Sequence, residues 1–228
     1  MRKSVVKQKL RDRQPAIGIA LHFTDPSVYE MASLAGFDYI WMDLEHHAYS
    51  VETANNLMRA ARIGTSDIMA RPAKGEFMRI GRLLESRAHG ILYPRCDNAD
   101  EARELVRWSK FGPLGTRGFD GANPDMPYCS MDMAEYVRMA NDETWIVVQI
   151  EDPKALEHAD EIAAVEGVDV IMLGPADFSI LGGFPGQFTH PRIDEALKTI
   201  ERAANKHGKA WGTVAGTPQR VQELLNRG

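Results

Sequence analysis

The chain has little cysteine and lacks the long apolar or basic runs that mark membrane and nucleic-acid-binding proteins. Cys96 and Cys129 are the only cysteines in 228 residues, too few for a disulfide framework or a cysteine-rich zinc site. No stretch approaches the roughly 18 apolar residues of a membrane span, and the charged residues 1–14 lack a signal-peptide core. The net charge is −5 without a basic cluster. We therefore expect a cytoplasmic protein with no membrane or nucleic-acid partner.

Short apolar runs alternate with helical segments along the whole chain. Most of the runs are continuously apolar, which is typical of parallel strands covered on both faces. Several intervening segments begin at Ser, Asp or Asn and end at Gly, as helices do. This order predicts an α/β fold, either a (β/α)₈ TIM barrel or a doubly wound sheet. The predicted strands cover residues 16–23, 38–46, 67–72, 90–96, 144–151, 168–177 and 209–216.

The count of predicted strands is one short of a complete barrel. We favour a single barrel domain over residues 1–228 whose eighth strand and last helix are absent from the chain. An open barrel would otherwise leave two strand edges exposed. The long segment 97–143 contains a loop rich in Gly and Pro and is the expected place for a functional insertion.

Two acidic residues, Glu151 and Asp177, follow two of the apolar runs directly. The carboxyl ends of parallel strands open into one cleft, where catalytic residues collect. Two carboxylates, water and a bidentate ligand would give the all-oxygen shell that Mg²⁺ or Mn²⁺ prefers. The alternative is that both acids cap helices, although Asp152 and Ser179 are available for capping. The residues alone leave both interpretations open.

The second and third runs end in further candidate catalytic residues. Asp43 and Glu45 face one way if the strand continues, and His46 follows as the chain leaves the sheet. An Asp43–His46 pair would orient the imidazole and raise its basicity for proton abstraction, whereas a purely structural contact is the alternative. Arg71 ends the third run, where its guanidinium would hold an oxyanion unless it forms a surface ion pair.

The fifth and sixth runs supply residues with the geometry of a ligand-binding edge. Gln149 and Glu151 point to the same side of their strand. The segment Gly174–Asp177 forms a bend in which Gly174 and the small Ala176 would let a ligand approach backbone N–H groups.

Taken in order, these motifs resemble the HpcH/HpaI family of metal-dependent (class II) pyruvate aldolases. The similarity runs in register from about residue 14 to the last residue. Several motifs in order are more specific than any one alone. They are Asp43-x-Glu45-His46, Arg71-Pro72, Asn98-Ala-Asp-Glu-Ala-Arg103, Gly115-x-Arg117-Gly118, Gln149-Ile-Glu151, Val165-Glu-Gly-Val-Asp169 and Gly174-Pro-Ala-Asp177.

The resemblance implies a phosphoenolpyruvate/pyruvate-type barrel. Its implied activity is the reversible cleavage of a 4-hydroxy-2-oxo acid to pyruvate and an aldehyde, as in aldolases for 2,4-dihydroxyhept-2-ene-1,7-dioate or 2-keto-3-deoxy sugar acids. One divalent ion per site, Mg²⁺ or Mn²⁺ with Co²⁺ as a further candidate, would stabilise a pyruvate enolate. Family members are usually homotrimers or homohexamers, so we expect one of these assemblies.

The same resemblance suggests a role for each matched residue. Glu151 and Asp177 match the metal ligands, His46 matches the catalytic base acting with Asp43, and Arg71 matches the residue that stabilises the enolate. The positions that match contacts with the pyruvyl unit are Gln149, Gly174, Ala176 and Asp177.

Some positions depart from the family pattern. Glu85 falls where the family usually carries an aspartate that tunes the histidine. Leu44 replaces a glycine, and His47 adds a second imidazole that would alter the aldehyde side of the pocket. His22 ends the first strand, where it would line the same pocket. The loop Gly118–Tyr128 is expected either to select the acceptor or to contact solvent or another subunit.

There are three alternatives to the metal-dependent aldolase. A related metal-dependent lyase, decarboxylating oxaloacetate or cleaving an acyl-CoA ester, shares the enolate chemistry. A non-catalytic barrel that binds an oxo acid would not need base, arginine and both acids together. A lysine Schiff base is disfavoured because no lysine ends a predicted strand; Lys74, Lys110, Lys154, Lys198 and Lys206 lie in loops or helices, and Lys209 precedes its strand.

Overall fold

A computed structural model describes residues 3–227, which form a parallel seven-stranded sheet flanked by helices. The strands are β1 (Gly18–Leu21), β2 (Tyr39–Asp43), β3 (Asp67–Arg71), β4 (Gly90–Tyr93), β5 (Trp145–Ile150), β6 (Val170–Leu173) and β7 (Ala210–Thr213). The helices are α1 (Val5–Arg11), α2 (Pro26–Leu34), α3 (Val51–Ala60), α4 (Phe77–Glu85), α5 (Ala99–Ser109), α6 (Met133–Glu143), α7 (Pro153–Leu156), α8 (Ala159–Ala163), α9 (Pro175–Leu181), α10 (Pro191–Lys206) and α11 (Pro218–Leu225).

Local sequence signals account for where the helices begin. Several start at a proline, whose fixed φ suits the first helical position; these are α2, α7, α9, α10 and α11. Others have a side-chain cap. Ser50 accepts from the Thr53 amide, and Asn98 accepts from the amides of Asp100 and Glu101.

The strands pair in sequence order, from β1 to β7, and all pairs are parallel. A doubly wound sheet would need a reversal of this order, so that alternative is excluded for residues 3–227. The sheet also curls, because Tyr39 of β2 and Trp145 of β5 meet at a ring-centroid distance of 5.6 Å although their strands are not neighbours. The prediction of an α/β fold with these seven strands is confirmed.

The two faces of the curled sheet bury two separate apolar layers. The outer layer packs against the helices and contains alternate strand residues such as Ile40, Ile91 and Val148. The inner layer fills the concave side. Its buried members are Val6, Trp41, Met69, Leu92, Trp145, Val147 and Met172. Because both faces are apolar, the strands have the continuous apolar pattern seen in the sequence.

The cysteines and the helices bear on two expectations from the sequence. Cys96 is buried, Cys129 is exposed, and both are free thiols, as predicted. None of the helices within residues 3–227 combines the length and apolarity that a membrane crossing requires.

Helix α1 closes the amino end of the curled sheet. Val6 inserts into the inner apolar layer, and the fully buried Asp67 carboxylate at the start of β3 holds the beginning of the helix. Asp67 accepts hydrogen bonds from the Ser4 hydroxyl and from the Val6 amide, the latter at 3.0 Å. Lys7 adds an ion pair of 2.6 Å with Asp169, which precedes β6. The amino end is thus built for packing, which leaves the carboxyl end of the strands for chemistry.

The Asp67 contacts lead to a stability prediction. Asp67→Ala leaves the start of α1 without its acceptor, so we expect the free energy of unfolding to fall by about 2–3 kcal/mol. Urea unfolding followed by circular dichroism measures this change. Gln8→Ala, on the exposed face of the same helix, should change it by less than about 0.5 kcal/mol. Equal effects of the two substitutions would contradict an anchoring role for Asp67.

Candidate active site

The carboxyl ends of β2, β3, β5 and β6 bring polar side chains into one cluster. Asp43 and Arg71 are register partners at the ends of β2 and β3. Gln149 lies near the end of β5, and Glu151 directly follows that strand. All four side chains are buried, and the inner apolar layer lies beneath them. The sequence prediction that strand-end residues meet at one edge therefore holds for these four.

Arg71 lies at the centre of this cluster. Its Nε donates to Asp43 Oδ1 at 2.9 Å and its Nη2 to Asp43 Oδ2 at 2.7 Å, a bidentate pair. Its Nη1 reaches Gln149 Oε1 at 3.5 Å, and the guanidinium lies over the Trp41 ring at 4.8 Å from the centroid. Burial alone would raise the pKa of Asp43, but the bonds from Arg71 outweigh it and hold the pKa at about 2. Asp43 is therefore a carboxylate at neutral pH.

Glu151 is buried with few compensating donors. Its Oε2 accepts from the Arg95 amide at 3.0 Å. Burial, and secondarily the charge of Asp177, raises the pKa of Glu151 to about 7. A Cβ on residue 174 would lie 2.1 Å from Glu151 Oε1. A Cβ here would displace the Glu151 and Gln149 side chains, so Gly174 allows the end of β6 to approach the Glu151 carboxylate closely.

The surroundings of Glu151 fit a bound cation. Glu45 Oε2 is buried without a hydrogen-bond partner, although it lies 3.4 Å from Arg71 Nε. Asp177 contributes a further half-buried carboxylate in the first turn of α9. Glu45, Glu151 and Asp177 thus add three carboxylates beside the Arg71–Asp43 pair, and this concentration of acids favours a divalent cation with oxygen ligands. Glu45 was part of a sequence motif, but its unpaired buried oxygen was not foreseeable from the sequence.

Helix capping is the alternative role for Glu151 and Asp177, and the structure shows which residues cap the two helices concerned, α7 and α9. The Asp152 side chain caps α7 by accepting from the Lys154 amide at 2.8 Å, so Glu151 is not needed there. The N-cap of α9 is Gly174, without a side-chain hydrogen bond. Ser179 bonds instead to the Ala176 carbonyl at 2.7 Å. The capping interpretation of Glu151 is therefore wrong.

The imidazole that contacts Asp43 is His47, whereas the sequence analysis predicted His46. His47 Nδ1 lies 3.1 Å from Asp43 Oδ2, while His46 Nε2 lies 3.5 Å from Glu45 Oε2 and its side chain is 61% exposed. The reason is the bend after β2. The Glu45 amide donates to Asp43 Oδ1 at 3.0 Å, which turns the chain back and brings the residue four positions on over the carboxylate.

His22 joins this group from the end of β1. Its ring stacks on His47 with centroids 4.1 Å apart and planes inclined by 23°. Ligand atoms of His22, Asp43 and His47 all lie within 4.8 Å of one another. The position of His22 one residue past a strand signalled a pocket residue, but its partner could not be read from the sequence.

Glu85 and the loop Gly118–Tyr128 lie elsewhere. Helix α4 runs back from the carboxyl end of β3, so Glu85 at its end lies near the amino end of the sheet. Burial raises the pKa of Glu85, and Arg117 opposes that rise. Arg117 in turn donates to Tyr136 OH at 3.2 Å beside the loop. Within one chain, Glu85 and this loop therefore lie away from His46, and the roles suggested for them stay predictions.

A curled parallel α/β sheet with buried acids and an arginine at its strand ends has the construction of a small-molecule enzyme. The comparison of families agrees with this class. The chain belongs to the HpcH/HpaI aldolase/citrate lyase family, whose model matches residues 17–228. The resemblance found in the sequence is thereby confirmed, and so is the prediction of a carbon–carbon lyase.

Individual relatives support the same assignment. The 2-keto-3-deoxy-L-rhamnonate aldolase of Escherichia coli O17:K52:H18 is 32% identical over 219 residues, which cover 96% of this chain and 82% of the relative. The crystal structure of an HpcH/HpaI aldolase from Desulfitobacterium hafniense DCB-2 superposes with a TM-score of 0.92 at 33% identity, over 97% of this chain and 86% of that one. The citrate synthase SbnG gives a TM-score of 0.88 at 27% identity, over 98% and 86% of the two chains.

The raised pKa of Glu151 leads to a prediction about pH and stability. The pKa of Glu151 is about 7 in the folded protein, against an ordinary value of 4.5. Ionisation of this carboxyl group therefore costs more in the folded protein than in the unfolded chain. In metal-free protein the stability should therefore fall as the pH rises from about 5 to 8, by up to about 3 kcal/mol from this group. Glu151→Gln should remove that fall, as measured by urea unfolding in EDTA.

A control separates Glu151 from other titrating groups. Glu157→Gln, on an exposed surface, should keep the wild-type dependence on pH. At pH 8, added Mg²⁺ or Mn²⁺ should restore the stability that the metal-free wild-type protein loses. A Glu151→Gln variant with an unchanged pH profile would refute the buried, poorly compensated carboxylate.

Proposed function

We propose that the protein catalyses the reversible aldol cleavage of a 4-hydroxy-2-oxo acid to pyruvate and an aldehyde. The observation that supports it most is the convergence of Arg71, Asp43, Glu151 and Asp177 at one strand edge in a chain of this family. The 2-keto-3-deoxy-L-rhamnonate aldolase among its relatives suggests a 2-oxo sugar acid as the substrate class.

Glu151 and Asp177 are the proposed ligands of one divalent cation, Mg²⁺ or Mn²⁺ before Co²⁺. When bound, such an ion would polarise the 2-oxo group of the substrate and lower the cost of an enolate. The support is the donor set. Both residues offer carboxylate oxygens, the charge of Asp177 acts on Glu151, and Gly174 keeps the approach to Glu151 open.

Charge stabilisation, substrate orientation and proton transfer are the roles proposed for Arg71, Gln149 and His46. Arg71, fixed by Asp43, would place positive charge beside the oxygen on which negative charge develops. Gln149, held near the guanidinium, would orient the pyruvyl carboxylate together with the backbone of Gly174 and Ala176. His46 is proposed to move the proton of the substrate hydroxyl, and its exposed ring is accessible to substrate.

The architecture and assembly stay proposals as well. The sequential strand order and the contact between β2 and β5 support a closed barrel as the complete fold. A homotrimer or homohexamer is the assembly that the family resemblance implies. Glu85 would serve as an acid tuning a histidine only where another copy of the chain brings it near one.

Metal removal tests the proposed reaction. We expect pyruvate and an aldehyde to condense in the presence of Mg²⁺ or Mn²⁺, and EDTA treatment to reduce turnover at least 100-fold. Coupled detection of pyruvate in the cleavage direction measures this. Full activity after rigorous metal removal would contradict the mechanism, and turnover of oxaloacetate alone would favour a decarboxylase of the same family.

A substitution at Arg71 tests the charge stabilisation separately. Arg71→Lys keeps the charge but loses the bidentate pair with Asp43, so we expect kcat to fall by about 10²–10³-fold. Arg103→Lys, on the exposed surface of α5, is the matched control and should retain wild-type kcat. A similar kcat in both variants would remove Arg71 from the reaction.

A further inference from the structure

The stacked imidazoles of His22 and His47 have no task in the reaction proposed above. They lie at the same edge of the sheet as Arg71, because His22 directly follows β1 and His47 follows the end of β2. His47 is fixed at both sides, by the Asp43 carboxylate at 3.1 Å and by the His22 ring at 4.1 Å. A side chain held in this way has one orientation, which is the requirement for selecting a ligand.

The carboxylate of Asp43 determines which nitrogen of His47 remains free. Asp43 is ionised and bonded to Arg71, so it can only accept a hydrogen bond, and His47 must donate through Nδ1–H. Nε2 is then the ring nitrogen that remains to meet a ligand. Burial and the neighbouring His47 lower the pKa of His22. The pair thus offers hydrogen-bonding nitrogens in a fixed orientation.

A second metal ion is a poor occupant for this cluster. Its three ligand atoms lie within 4.8 Å of one another. However, both oxygens of Asp43 already accept from Arg71, at 2.9 and 2.7 Å. A cation coordinated there would have to share the Asp43 oxygens with Arg71 and would lie beside its guanidinium, which repels it. A neutral ligand avoids that repulsion.

We propose that His22 and His47 form an acceptor subsite that recognises a neutral hydroxyl group on the aldehyde. This inference rests on the proposed function and adds the chemistry of its second substrate. A hydroxyl both donates and accepts hydrogen bonds and so pairs with Nε2 of His47, whereas a plain alkyl aldehyde leaves that nitrogen without a partner. A site of this kind discriminates strongly against an analogue that lacks the hydroxyl.

The test compares two acceptors that differ by one hydroxyl, 2-hydroxypropanal and propanal, with pyruvate and Mn²⁺ held constant. For the wild type we expect kcat/KM to favour 2-hydroxypropanal by about 30-fold or more. His47→Phe retains an aromatic ring for the stack with His22 but removes both nitrogens. It should reduce the ratio at least 10-fold, with the loss falling on the hydroxylated acceptor.

Two further variants separate recognition from structure. His47→Gln, which keeps an amide donor and acceptor, should recover part of the ratio. His158→Phe, at an exposed histidine preceding α8, should leave it at the wild-type value. Succinic semialdehyde serves as the anionic acceptor.

Several results would overturn the inference. They are a wild-type ratio near one, an unchanged ratio in His47→Phe, equal losses with both acceptors, or a preference for succinic semialdehyde that His47→Phe abolishes. Calorimetric Zn²⁺ binding that loses one equivalent in His22→Phe would assign the cluster to a metal instead. A wild type that condenses neither aldehyde would refute the proposed aldolase activity itself, an outcome distinct from these.

Discussion

The buried pair between Arg71 and Asp43 is the interaction on which the rest of the site depends. It joins the ends of β2 and β3 through two charge-assisted hydrogen bonds, and the same guanidinium reaches Gln149 of β5. Removing one partner of such a pair leaves an uncompensated buried charge, at a cost of about 3–5 kcal/mol. Because Asp43 is kept ionised, it also accepts from the Glu45 amide and from His47. The bend after β2 and the position of His47 follow from that carboxylate.

The site places three further carboxylates beside the Arg71–Asp43 pair. Burial, and secondarily the charge of Asp177, raises the pKa of Glu151 to about 7. Glu45 has a buried oxygen without a hydrogen-bond partner. A protein retains such an arrangement where a ligand supplies the missing positive charge. The inner apolar layer below, with Trp41 under the Arg71 guanidinium, keeps the groups in place.

The fold could be predicted from the sequence because its signals are local. Continuous apolar runs identified each strand, and prolines and caps identified helix starts. The acids and Arg71 were predictable because strand ends of a parallel sheet share one edge. The partner of Asp43 was not, since the choice between His46 and His47 depends on a bend that no periodicity encodes. The position of Glu85 could not be predicted for a related reason: a motif match gives a position in the chain but not the end of the sheet to which its helix returns.

The central claim is that Glu151 and Asp177 hold one divalent ion at which pyruvate binds. Water-proton relaxation with Mn²⁺ measures this most directly, because bound Mn²⁺ enhances relaxation and a chelating ligand displaces its water. The account predicts one Mn²⁺ per chain, an enhancement that falls on adding pyruvate, and loss of binding in Asp177→Asn and Glu151→Gln. Unchanged Mn²⁺ binding in both variants, or an enhancement that pyruvate does not alter, would contradict it.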